Sequence, residues 1–481
     1  MNPKGFSQII LLSIIAVIVL AGAGGFFFVS NKNISELSST PQLDNLCSGK
    51  DECINFCLDN RDRCETYCKG RGDDLCKIIF PPDEEHEKQS SFELQSGPST
   101  KEEKKGFVDD SIVIKESSII PKSEELPTRK DCTGTGSVVF TSPPMRLHEI
   151  REIVPMGLLN GSHVTPTDHG YYHSVSVDRL NPDDPSTYKD ILAPADGIIA
   201  DINIMGGKQN DYRMTLNYTC TFYTIYIHLK ELSQKVLQAI GGVKGFIPTS
   251  IPVKAGEIIG RAQGFDFSVH NEEVVLKGFV IPEHYEGESW KIHTVDMFDS
   301  FVEPIKSKLL SKNIRQAHPR GGKIDYDIDG KLVGNWFVEG TGGYRGVQGD
   351  YWVTHLAFAY DALDPSLAVV SIGDFRGMPK HFAIKGNTPD PAIVSVASGL
   401  VKYELTGIEY LTESGQIWNR NEFAKISKAI ESGPIIDEVE RVEGVVLAQM
   451  LGERKLKFEA FPGKTASEIV GFTDAATLYE R

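Results

Sequence analysis

Two kinds of apolar run divide this chain of 481 residues. Near its start, Ile9 to Val29 is uncharged and almost wholly apolar; as a helix rising about 1.5 Å per residue it spans roughly 30 Å, the hydrocarbon thickness of a bilayer. Later apolar runs are short, rich in Ile, Val, Tyr and Phe, and cut off by Gly, Pro or Asp, as in Tyr226-Ile-His-Leu229 and Phe265-Asp-Phe-Ser-Val269. That pattern predicts consecutive antiparallel strands joined by tight turns. Asp196-Gly197 and Ala255-Gly256 have the composition of hairpin turns, where glycine supplies the positive φ such turns require. A first β region is expected over 137–303, leading into a short helix over Pro304 to Leu310. A second, over 320–481, has strand-like runs at Trp352 to Tyr360, Leu367 to Ile372, Ile393 to Glu404 and Val445 to Phe461, interrupted by a helix over Asn421 to Glu431. The fold class expected is mainly β.

Composition changes the picture between these runs. Residues 47–76 hold Cys47, Cys53, Cys57, Cys64, Cys68 and Cys76 with two C-x-x-x-C pairs, which a helical hairpin places on one face of a turn each. Nested bridges Cys57 to Cys64, Cys53 to Cys68 and Cys47 to Cys76 suit that geometry, although six cysteines allow fifteen connectivities. A zinc site is the rival reading, but no His lies in the module. Disulfides imply an oxidising compartment, and Cys132 and Cys220 then form a further pair that can bridge. From residue 81 to 131 the chain is Glu, Lys, Ser and Pro with Phe92 and Phe107 the only aromatics, too little apolar surface to offset chain entropy. About fifty such residues span roughly 40 Å as a flexible tether. The apolar start is then a single membrane anchor (residues 1–30) holding an extracytoplasmic bulk. A cleaved signal peptide is the alternative, since Ala21-Gly22-Ala23 has the form of a cleavage site. A net charge of −16 with no basic stripe excludes nucleic acid as a partner class.

The chemistry concentrates between Gly161 and Val269. The histidine-rich opening Gly161-Ser-His-Val-Thr-Pro-Thr-Asp-His-Gly-Tyr-Tyr-His173 is followed by Leu192-Ala-Pro-Ala-Asp-Gly-Ile-Ile199, Tyr226-Ile-His-Leu229, Val253-Lys-Ala-Gly-Glu-Ile-Ile-Gly260 and Phe265-Asp-Phe-Ser-Val269. In that order the pieces resemble the LytM/M23 family of zinc endopeptidases, whose β-barrel-like or sandwich-like domain cleaves peptide bridges of cell-wall peptidoglycan. The resemblance implies that His228, in a Y-x-H-L segment, orients or deprotonates the attacking water. It implies metal ligation by an early H-x-x-x-D and by the second His of a late H-x-H. The opening supplies His163, Asp168, His169 and His173 without that first spacing. The late motif falls on Gly264-Phe-Asp266, with Gly where a catalytic His belongs and Asp where a metal His belongs. A catalytic zinc needs three protein ligands and an open position for water, for which His163, His169 and Asp266 are the candidates. Taken singly, each of these histidines also suits an ordinary solvated or hydrogen-bonded strand position.

In the second region, Asp325-Tyr-Asp-Ile-Asp-Gly330 matches the first half of a calcium loop, but its twelfth position is Trp336 rather than Glu, and a polar turn is expected. Gly334-Asn-Trp336, with Arg481 ending the sequence, resembles the G-x-W opening of lipocalin-like barrels. Trp336, Phe337, Trp352 and Tyr360 then belong either to a core or to a ligand cavity. Three function classes follow: a membrane-anchored binding protein whose M23-like groove holds cell-envelope peptide or glycan without cutting it, a zinc metalloendopeptidase with altered ligands, and a small-ligand binder built on the C-terminal barrel.

Overall fold

Alternation of apolar and polar positions produces two β structures that pack on each other. A computed structural model describes residues 131–481 apart from 179, 206–209, 243–244, 348–349, 434, 437–438 and 441. All of these belong to one compact unit, Lys115–Arg481. The expected membrane span, the Cys47–Cys76 module and the tether lie outside the described residues; among those described, no helix is long and apolar enough to cross a membrane.

The first structure is an antiparallel sheet. Its strands are β1 (Ile150–Val154), β2 (Gly170–Ser174), β4 (Gly197–Ile204), β5 (Tyr212–Asn217), β6 (Phe222–Leu229), β8 (Ile247–Val253) and β10 (Gly264–Asn271), with β11 (Thr294–Val295) beside β10. They lie in the order β1-β2-β10-β6-β5-β4-β8. A separate small sheet of β3 (Lys189–Leu192), β9 (Ile258–Ala262) and β7 (Glu231–Leu232) adds Ile191, Leu232, Ile259 and Ala262 to the same core. Side chains on successive strand residues point to opposite faces. Tyr172, Tyr226, Phe265, Phe267 and Val269 therefore enter one core, which Phe140, Phe298, Phe301 and Leu309 close. Their neighbours Tyr171, His173, Gly264, Asp266 and Ser268 face the other way, and that face carries the histidines.

Neither expected hairpin forms. Gly256 does turn with φ +79°, but it joins β8 to β9, which lie in different sheets, and Gly197 already belongs to β4. The short helix is present as α2 (Ile305–Lys312); α1 (Gln234–Ile240) has no counterpart in the sequence reading. Cys132 and Cys220 are disulfide-bonded.

The second structure is a closed barrel of eight antiparallel strands: β12 (Gly334–Val338), β13 (His355–Tyr360), β14 (Ala368–Ile372), β15 (Lys380–Ile384), β16 (Leu400–Thr412), β20 (Gly444–Gly452), β21 (Lys455–Pro462) and β22 (Thr477–Glu480), which returns to β12. Between β16 and β20 the chain makes β17 (Ile426–Ser432), paired with the far half of β16, and the small β18 (Ile435–Ile436) and β19 (Val439–Glu440) pair. The helix expected over Asn421 to Glu431 is thus a strand. Its buried residues Ile426 and Ala429 are three apart because a bulge opposite Leu411/Thr412 inserts one residue. That insertion gives a strand the spacing of a helix. Likewise the Trp352 to Tyr360 run is a 3-10 turn, Tyr351–Thr354, followed by β13, and the Ile393 to Glu404 run becomes strand only at Leu400.

Trp336, Phe358, Phe382, Tyr403, Met450 and Phe458 fill the barrel. Trp336 is fully buried, its indole N–H donating to Leu332 O at 2.8 Å and the Arg481 guanidinium 4.0 Å over its ring. Arg481 also donates to the carbonyls of Val333 and Lys331 and faces Asp327 at 3.6 Å. The calcium-like loop is a polar turn whose carboxylates serve the backbone: Asp325 accepts from Gly278 N and Asp327 from Asn335 N, while Asp329 pairs with Arg454.

The outer face of the barrel packs on the first structure through Val154, Ile314, Tyr326, Leu363, Tyr410 and Trp418. Buried Arg315 reinforces the joint, donating to the carbonyls of Ala317, His318, Pro319 and Ala362.

Candidate functional site

His163, His169, His228 and Asp266, as much as 103 positions apart in sequence, line one cavity of about 120 Å³. Strand pairing explains the convergence. Asp266 on β10 lies between Tyr171 of β2 and Ile227 of β6, so the segment before β2 and the end of β6 flank it. A register shift between Tyr212 and Met214 of β5 bulges the end of β6, and His228 there adopts φ +68°. Positive φ is uncommon outside glycine and is retained where surroundings impose it. Bulges are a means of re-aiming a side chain, and this one turns His228 toward Asp266.

Two carboxylates orient two imidazoles. His228 Nδ1 lies 2.8 Å from Asp211 Oδ1, leaving Nε2 3.7 Å from Asp266 Oδ2. His169 Nδ1 lies 3.0 Å from Asp168 Oδ1, leaving Nε2 3.3 Å from the same Asp266 oxygen. Buried His169 Nε2 makes no hydrogen bond. The His163 ring stands edge-on to His169, centroids 5.2 Å apart. Lys291, 2% exposed, reaches Asp168 at 3.7 Å and Glu288 at 3.8 Å, with its ammonium 4.9 Å from the Tyr344 ring centre. Trp290, Tyr344 and Tyr351 complete the wall, so the barrel region contributes to the site.

Charge follows from these contacts. The bond to Asp211 raises the His228 pKa above the ordinary histidine value, against burial and with help from Asp266. Burial works against a charged His169, yet Asp266 and Asp168 outweigh it and its pKa is raised. Burial lowers that of His163 to about 3, with His169 and Lys291 adding to the effect. Burial also raises the Asp266 pKa, an effect His169 and His228 oppose. For Asp168, burial is overcome by Lys291 and His169, which hold it well below the usual carboxylate range.

His173 does not join the cavity. Its ring lies where a side chain on Gly264 would project: a Cβ built there stands 3.2 Å from His173 Cδ2 and 3.2 Å from Tyr172 O. Its Nδ1 is 3.0 Å from Glu152 Oε1.

No protein-family model matches the chain, and no curated protein matches it.

The site therefore stands on its own geometry. Two histidines and an aspartate converging on one oxygen, each imidazole with its second nitrogen held by a carboxylate, is a donor set chemically suited to zinc, and the unbonded His169 Nε2 fits that use. Yet among the described residues no group of three or more His, Cys, Asp or Glu is arranged to hold a metal ion. Asp211, Lys291 and Tyr344 were not legible as site residues. Asp211 carried the weak signal of a lone carboxylate just before a strand; Lys291 and Tyr344 carried none, being placed by tertiary packing alone.

Proposed function

We propose that this chain is a membrane-anchored extracytoplasmic protein whose cavity around Asp266 binds a peptide or glycan of the cell envelope without hydrolysing it. The carrying observation is the Gly264/His173 pair. The resemblance to M23 endopeptidases reserves position 264 for a catalytic histidine; here it is glycine, and a side chain there would have to shift the His173 ring, tied to Glu152, whose Cδ2 stands 3.2 Å from the Cβ position. What remains is a cavity that sets oriented donors and acceptors among apolar and aromatic walls, with His228 half-exposed, features suited to recognising amide and hydroxyl groups. The Cys132–Cys220 bridge agrees with an oxidising location. Calorimetric titration of the full-length chain with soluble peptide-bearing glycan fragments of cell wall tests this. Saturable binding weakened at least tenfold by Asp266→Ala supports it; no binding, or binding indifferent to that change, overturns it.

A second reading, a zinc endopeptidase with altered ligands, rests on the approach of His169 Nε2 and His228 Nε2 to Asp266 Oδ2. In it His163, His169 and Asp266 would hold the ion, which would supply a water for His228 to deprotonate; Asp168 and Asp211 would fix the imidazoles of His169 and His228. Stoichiometric zinc in the purified chain, lost in His169→Ala, would favour it. A small-ligand role for the barrel draws no support from an interior filled by Trp336, Phe358, Tyr403 and their neighbours.

A further inference from the structure

Where the outer face of the barrel meets the first sheet, a second and larger cleft of about 440 Å³ opens, within the roughly 300–1,000 Å³ typical of small-molecule sites, which favour domain junctions. Its walls mix apolar and aromatic side chains, Leu158, Tyr171, Ile408, Tyr410 and Trp418 among them, with polar groups of Asn160, His173, His381 and Arg420, and no acidic side chain lines it. Arg420 is the one lysine or arginine in the lining. Its backbone is held at φ +63° and its guanidinium lies 5.4 Å from the Tyr410 ring centre. Among the described residues Arg420 forms no ion pair. Tyr410 is itself fixed, its hydroxyl donating to Asp361 Oδ2 at 2.7 Å, and the Trp418 indole N–H is spent on Glu422 O at 2.8 Å. Tyr410 and Trp418, 7% and 8% exposed, therefore form a fixed floor, while Arg420 at the surface offers charge. His381 is not available for a ligand, since its two ring nitrogens already face Ser371 Oγ at 2.8 Å and Gly161 O at 3.2 Å. Asn160 adds an amide at the rim.

We infer that this cleft binds the carboxy-terminal end of a short apolar peptide, the terminal carboxylate on Arg420 and the apolar side chain between Tyr410, Trp418 and Ile408. An anion suits the site because the cleft's arginine faces no carboxylate of its own, and guanidinium engages carboxylate through two parallel hydrogen bonds. A peptide suits it better than a fatty acid because the lining carries Asn160 and His173 beside Arg420, polar groups that peptide amides can meet and an alkyl chain cannot. This goes beyond the cavity around Asp266 and stands whether or not that cavity holds a ligand.

The test is calorimetric titration of the full-length chain with N-acetyl-alanyl-leucine, its carboxamide, and octanoate. The free acid is expected to bind at least tenfold more tightly than either of the others. Arg420→Ala should remove that preference for acid over amide, and Trp418→Ala should weaken acid and amide alike. Both variants are compared with Lys254→Ala, an exposed change outside either cavity, which should leave binding of the free acid unchanged. Equal binding of acid and amide, octanoate binding as tightly as the peptide, an unaltered preference in Arg420→Ala, or no binding at all overturns the assignment.

Discussion

Asp211 governs the protonation of His228, because the 2.8 Å bond between them favours the imidazolium and burial alone would favour the neutral ring. A histidine whose pKa is raised on folding contributes stability that is complete below its unfolded value, near 6.5, and is lost as pH rises through the folded value. Asp211→Asn should therefore bring the His228 titration down toward 6.5, as followed by its ring proton resonances, and should cost more stability in denaturant unfolding at pH 6 than at pH 8. An equal cost at both pH values would contradict this role. At this scale the sequence was informative about residue type and silent about partners. His163, His169, His228 and Asp266 were grouped only through the resemblance of their segments, in order, to the M23 pattern, and they do line one cavity. The carboxylates that orient two of them were not legible, since Asp211 meets His228 only through the shifted β5–β6 register and Asp168 shows its role only once the turn before β2 is formed. His173 was legible as one of the histidine cluster; alternation puts it on the same face as Asp266, but its register opposite Gly264, further along the strands, places it in the neighbouring cleft.

Among elements, β10 and β6 carry the site and were the most readable, as alternation in Phe265-Asp-Phe-Ser-Val269 already separates a core face from a polar one. Bulges defeated the reading elsewhere. The extra residue in β17 mimicked helical spacing, while the bulge at the end of β6, which aims His228, left no trace in composition. The disulfide joins the segment before β1 to the β5–β6 connection across a separation of 88 residues. Cross-links that close loops of this length stabilise by about 2–5 kcal/mol, largely through the unfolded chain. Replacing Cys132 and Cys220 together by Ser should lower the unfolding free energy by about that amount, measured with and without reductant. A loss below about 0.5 kcal/mol would show that the bridge constrains little.

For the whole molecule, the joint between sheet and barrel decides behaviour. The shared cluster around Ile314, Tyr326, Leu363 and Trp418 and the buried Arg315 network leave neither β structure with an independent surface there, so the two should unfold in a single calorimetric transition. Two resolved transitions would show the joint to be weak. Closure of the barrel was only hinted at by Gly334-Asn-Trp336 and Arg481, whose stacking depends on the two ends of the barrel's chain meeting. The contribution of Tyr344 and Tyr351 to the cavity could not be read at all, because it arises from how the two β structures pack. The central claim, that the Asp266 cavity holds envelope material and leaves it intact, is tested most directly by mass spectrometry of peptide-bearing cell-wall fragments after prolonged incubation with the full-length, zinc-supplied chain. Recovery of the fragments at unchanged mass, from a sample in which they are demonstrably bound, is the result expected. Release of new peptide ends that is abolished in His228→Ala would contradict it and establish hydrolysis.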